Sequence, residues 1–72
     1  MDPYENLANA IVLQAVKDYR RALKPLIKNP HSLSAMAAVN EIERFFRSEW
    51  YETLTLVDGE MLMRKLREEA SL

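Results

Sequence analysis

Asn40-Glu41-Ile42-Glu43-Arg44-Phe45-Phe46-Arg47-Ser48-Glu49-Trp50-Tyr51 holds both phenylalanines, the only tryptophan and one of the three tyrosines of the 72-residue chain. With so few aromatics, their clustering places the core. Read as a helix, Ala35, Val39, Ile42, Phe46 and Trp50 recur in steps of three or four and share one stripe. Phe45 lies about 100° around the axis from Phe46 and widens the stripe towards Ala38 and Ile42. The phenylalanines read as core. Trp50 and Tyr51, at the end of the run, read as either core or interface, because aromatics with a polar tip serve both.

Outward from this ridge, the neighbouring segments carry helix signals. On the N-terminal side, Asp2 is a cap, Pro3 suits a first helical position and Glu5 stands where a capping-box acid would. A long helix is predicted from Pro3 to Leu23 or Lys24, with the apolar stripe Ala8, Ile11, Val12, Ala15, Val16, Tyr19, Leu23 and Leu7 at its edge. Pro25 is expected to stop or kink it. Leu26 and Ile27 are expected to fold back as an apolar lid. Asn29 is the expected cap of the central helix with Pro30 at its first position, Ser32 or Ser34 being the alternatives, and the helix is predicted to run to about Arg47. Glu43 and Arg47 form an i,i+4 pair on its wet side, worth ~0.3 kcal/mol. Ser48 caps a short helix to Leu54 or Thr55, the alternative being one continuous or kinked central helix. Leu56 is expected to be buried in a connector. Asp58 caps a last helix from about Gly59 to Ala70, which buries Leu62, Leu66 and either Met61 or Met63. Glu60–Arg64, Arg64–Glu68 and Lys65–Glu69 are spaced as i,i+4 pairs. The expected fold class is all-α: a small bundle of three main helices with a possible extra short one, in a single domain over residues 1–72.

Composition narrows the function classes. The chain has no cysteine and one histidine, so it offers neither a disulfide nor a thiolate zinc site. A formal charge of −1 argues against a general polyanion binder. No apolar run approaches the ~20 residues of a membrane span, and the acidic start lacks the plan of a signal peptide. An intracellular, cytoplasmic protein is the expectation. Apolar residues make up 49% of the sequence, and a chain this short buries only roughly 60% of its extended surface, so a two-fold dimer is expected.

No pattern of catalysis emerges. There is no glycine-rich phosphate loop, nucleophile elbow or paired-histidine motif. Glu41 and Glu43 lie about 200° apart on a helix and cannot act together. Asp58-Gly59-Glu60 lacks the ligand series of a calcium loop, and His31 reads as an exposed turn residue. The expectation is a protein that is not an enzyme and needs no cofactor or metal.

The candidate binding residues are Lys17, Arg20, Arg21, Lys24 and Lys28, with Trp50 and Tyr51. Gln14, Lys17, Arg21, Lys24 and Lys28 follow the 3-4-3-4 spacing of one helix face away from the apolar stripe. Such a strip can meet phosphates or an acidic protein. A solvated face whose cations suit the negative end of the helix dipole stands ahead of this reading. No aromatic interleaves it, which disfavours single-strand binding. For a protein partner, the anchor is expected at Trp50 or Tyr51 with Arg20 or Arg21 beside it.

The segments Ala10-Ile-Val-Leu-Gln-Ala-Val-Lys-Asp-Tyr-Arg20, Phe45-Phe-Arg-Ser-Glu-Trp-Tyr-Glu-Thr-Leu-Thr55 and Asp58-Gly-Glu-Met-Leu-Met-Arg-Lys-Leu66 resemble a group of short, uncharacterised helical proteins. These occur in bacteriophages and integrated mobile elements of Gram-positive bacteria. The resemblance implies an accessory phage or prophage protein acting in the host cytoplasm. Small proteins of that kind often bind a host protein, including components of antiviral defence such as CRISPR nucleases. It therefore implies an anti-CRISPR-like inhibitor as the favoured function, with a small nucleic-acid-binding regulator as the alternative.

Overall fold

One helix sets the length of the molecule. In a computed structural model that describes residues 3–71, α1 spans Pro3–Lys28 without a break. Its 26 residues extend ~39 Å, close to the 42 Å long dimension of the whole chain. Helices α2 (Leu33–Phe46), α3 (Glu49–Leu54) and α4 (Gly59–Ser71) all pack on it. The fold is all-α, and the described residues contain no strand. The cap assigned to Asp2 lies outside the described residues.

The breaks fall where side chains satisfy the free backbone groups of helix ends. Ser32 caps α2, its Oγ accepting from the Ala35 N–H at 3.2 Å. Asn29 instead shapes the preceding turn, its Oδ1 accepting from the His31 N–H. Ser48 works in both directions: it donates to the Phe45 carbonyl at 2.6 Å and accepts from the Tyr51 N–H at 3.1 Å. One hydroxyl thus closes α2 and opens α3. Asp58 Oδ1 accepts from the Glu60 and Met61 N–H groups and starts α4.

Pro25 does not stop α1; the helix continues through it to Lys28. The proline sits near the end, where only one hydrogen bond is lost, and its carbonyl accepts from the Asn29 N–H at 2.9 Å. Leu26, half-buried against the core, gives the added turn a packing reason to form. Ile27 stays exposed and Leu26 packs on the core from within the helix, so the expected fold-back of these two residues as a lid does not occur.

The core is Tyr19, Leu23, Val39, Phe46, Tyr51, Met63 and Leu66. Phe46 stands at its centre, edge-on to Tyr19 at 5.7 Å and to Tyr51 at 5.5 Å. Met63 is the methionine that goes in, and Met61 stays outside. Gly59 starts α4 against the end of α2, and a Cβ there would collide with the Phe46 carbonyl oxygen. Leu56 is fully exposed, not buried. Thr55 is extended and half-buried; in extended backbone the next side chain faces the other way, which carries Leu56 into solvent.

Candidate functional site

The polar face of α2 departs from expectation. The Glu43 side chain is only 12% exposed. It accepts from the Tyr19 hydroxyl at 2.6 Å, from Arg67 Nη1 at 3.1 Å and from Arg47 Nη1 at 3.2 Å. The expected surface pair Glu43–Arg47 therefore exists, but as one arm of a hub joining α1, α2 and α4. Arg47 also holds Glu60 at 2.6 Å, which lowers the Glu60 pKa chiefly through that hydrogen bond. Burial first, and the bond to Glu43 second, push the Tyr19 phenol up to about 12. Around Arg67, burial opposes the charge, but the bonds to Tyr19 and Glu43 outweigh it and the pKa rises. Every carboxylate oxygen of Glu43 is engaged, so the hub is built to hold helices together. Glu60 and Glu69, expected to pair within α4, reach instead to Arg47 and Arg20.

The cationic strip lies on α1 away from this hub. Lys17, Arg21, Lys24 and Lys28 are all exposed and fall within about 60° of one another around the axis, opposite Tyr19 and Leu23. Arg21 lies 3.9 Å from Asp18, a distance at which an exposed pair contributes ~0–1 kcal/mol. Arg20 leaves the strip: its guanidinium grips Glu69 of α4 through Nε at 3.0 Å and Nη2 at 3.3 Å.

Trp50 and Tyr51 separate. With Ser48 fixing the start of α3, consecutive side chains point about 100° apart, so one faces in and the other out. Tyr51 is 1% exposed, packed edge-on against Phe45 and Phe46. It is a core residue, which removes it from the candidate partner anchors. Trp50 is 57% exposed and stands edge-on to Phe45 at 5.5 Å. Beside it runs a shallow groove of about 260 Å³, lined by Ile11, Gln14, Ala15, Asp18, Phe45 and Trp50. Gln14 donates to Asp18 at 2.9 Å along its rim. Ile11, Ala15 and Phe45 read as core in the sequence; the offset of Phe45 from Phe46 was the one signal that the apolar stripe was too wide for a single neighbour.

A second cleft of about 500 Å³ opens between the end of α2, α3 and the start of α4. It contains the Arg47–Glu60 pair and Asp58, whose Oδ1 is engaged in capping. The buried Tyr51 hydroxyl has no hydrogen-bond partner; burial, then the charge of Asp58, raise its pKa and keep it neutral. Nothing there pairs a nucleophile with a base. Among the described residues, no group of three or more His, Cys, Asp or Glu side chains could hold a metal ion, and no helix is long and apolar enough to cross a membrane.

Comparison with protein-family models, with curated proteins and with solved structures finds no match for this chain.

Proposed function

We propose that this chain is a non-enzymatic accessory protein that works by binding another protein through the outward face of α1 and Trp50. One observation carries the reading: Trp50, more than half exposed, flanks a mostly apolar groove whose rim residue Gln14 begins the spacing of the exposed cations Lys17, Arg21, Lys24 and Lys28. A large aromatic at the edge of a concave apolar site, beside charges free to steer a partner, is the usual composition of a binding hot spot. The resemblance to phage and mobile-element proteins makes a host antiviral defence protein, of the CRISPR-nuclease kind, the partner class to test first, with the chain acting as its inhibitor in the host cytoplasm. A two-fold dimer would double the surface offered.

A nucleic-acid-binding regulator is the alternative, favoured by the strip itself. Against it stand Asp18 on the groove rim, Glu49 next to Trp50, and the diversion of Arg20 to Glu69. Capture from a bacterial host lysate, with and without nuclease, discriminates the two. A protein retained after nuclease treatment by the native chain, and released by Trp50→Ala, supports the favoured reading. Tight duplex DNA binding at physiological salt, lost when Lys17, Arg21 and Lys24 become Gln and kept in Trp50→Ala, overturns it. For phosphate contacts, the log–log salt slope steepens by ~0.9 per neutralised phosphate.

A further inference from the structure

We infer that the Trp50 groove and the cationic strip form one continuous docking surface for an acidic helical segment that carries a large apolar side chain near one end. The inference rests on the protein-binding reading above and names the chemistry of the partner.

Gln14 joins the two features. It lines the groove with Ile11, Ala15, Phe45 and Trp50, and it is also the first position of the spacing that continues through Lys17, Arg21, Lys24 and Lys28. Along the α1 axis those cations stand about 4, 10, 15 and 21 Å from Gln14. The steps between them, roughly 4.5–6 Å, match the rise between residues three or four apart on another helix packed nearly parallel or antiparallel to α1. Acids at that spacing on a partner helix would meet the cations in register, while a side chain one turn further on enters the groove.

The charges are available for this. Lys17, Lys24 and Lys28 form no ion pair among the described residues, and Arg21 keeps only the 3.9 Å contact with Asp18. Asp18, the acid on the groove rim, is already engaged by Gln14 and Arg21. The groove is mostly apolar and has an acid, Asp18, on its rim, which suits an apolar side chain better than a phosphate. A shallow groove of about 260 Å³ suits one large side chain, with much of the specificity left to charge.

The test uses the full-length chain and two fluorescein-labelled synthetic helical peptides of about 18 residues, ~27 Å long. Both carry a Phe one turn from each end, so either orientation can dock. One has Glu at every third or fourth position between, and the other has Gln there. Anisotropy titration at low salt is expected to show the Glu peptide binding about tenfold more tightly, because several exposed ion pairs each add a small factor. Changing Lys17, Arg21 and Lys24 to Gln is expected to reduce that preference to less than about twofold. Trp50→Ala is expected to weaken both peptides alike. Equal binding of the Glu and Gln peptides overturns the acidic-partner inference and leaves protein binding standing. Binding of neither peptide also overturns the inference. If duplex DNA or phosphatidylserine vesicles then bind in their place, the protein-binding reading falls with it. Sedimentation as a dimer that excludes the peptide until Trp50→Ala breaks it assigns the groove to a second copy and overturns the inference as well.

Discussion

The Tyr19 hydroxyl donates to the Glu43 carboxylate across 2.6 Å, joining the middle of α1 to α2 at a point where Tyr19 itself has no exposed surface. The same carboxylate takes Arg67 from α4 and Arg47 from its own helix. Three helices thus share one acceptor, and losing it leaves the buried Tyr19 phenol without an acceptor for its proton and Arg67 without its carboxylate, while Arg47 keeps Glu60. Glu43→Ala is expected to destabilise the chain by about 2–3 kcal/mol. Glu41→Ala, two positions away on the exposed side, should stay within about 0.5 kcal/mol. Urea denaturation of both variants gives the comparison, and equal losses would remove the hub from the stability of the fold.

The raised pKa of Tyr19 makes a prediction at alkaline pH. The unfolded phenol ionises near 10, and the folded one near about 12. Below pH ~10 the group is protonated in both states, and its contribution is fully present. As pH climbs from there towards the folded value, the unfolded chain releases a proton that the folded chain keeps, so stability falls. Tyr19→Phe should show a shallower fall over that window than the native chain. Parallel slopes in denaturant titrations would contradict this.

Gly59→Ala should destabilise, although alanine is the better helix former by ~1 kcal/mol. The new methyl meets the Phe46 carbonyl oxygen, a backbone atom that cannot swing aside. Displacing α4 from the end of α2 is expected to cost about 1–3 kcal/mol net. A melting temperature equal to or above that of the native chain would show that α4 slides without loss.

Tyr51 and Trp50 should respond in opposite ways. The Tyr51 hydroxyl is buried without a partner, so Tyr51→Phe removes a desolvated polar group and should leave stability unchanged or raise it by up to ~1 kcal/mol. Tyr51→Ala removes a fully buried core ring and should cost about 3–5 kcal/mol. Trp50→Ala should cost about 1 kcal/mol or less, because most of its surface already faces solvent. Thermal melts of the three variants decide between this ordering and one in which both aromatics are core.

The strip variant with Lys17, Arg21 and Lys24 changed to Gln should melt within a few degrees of the native chain, since exposed substitutions without tight partners rarely exceed ~0.5 kcal/mol. A collapse of helicity on circular dichroism would mean that the strip supports the fold.

Much of the fold could be read locally. Ser48 and Asp58 act as caps because a cap is decided by a few neighbouring residues. Of the stripe, Ala35, Val39 and Phe46 are buried and Ile42 half-buried, because periodicity is a property of one helix; Trp50 left it, because the chain breaks at Ser48 and starts a new helix. Tertiary partners were less visible. Glu43 looked wet because its nearest cation in sequence, Arg47, is a surface neighbour. Its deeper partners, Tyr19 and Arg67, each lie 24 residues away. Leu56 looked apolar enough to bury, yet its orientation is set by the extended Thr55 before it. Pro25 was read as a stop or a kink; it is not a stop, because its cost is small one turn from a helix end whose Leu26 reaches the core. Of the candidate site, the strip was legible from spacing. The groove needed α2 and α3 to be docked on α1, and Arg20 left the strip for an acid 49 residues away.

Because α2, α3 and α4 all rest on α1, its central turns are covered by every other helix. The backbone amides of α1 around Val12 to Leu23 should therefore exchange with deuterium only through whole-molecule unfolding. Those near Pro3 to Leu7, whose side chains are all exposed, should exchange much sooner. A ligand gripping the outer face of the same rod would slow every protected amide together, by a common factor set by its concentration and affinity.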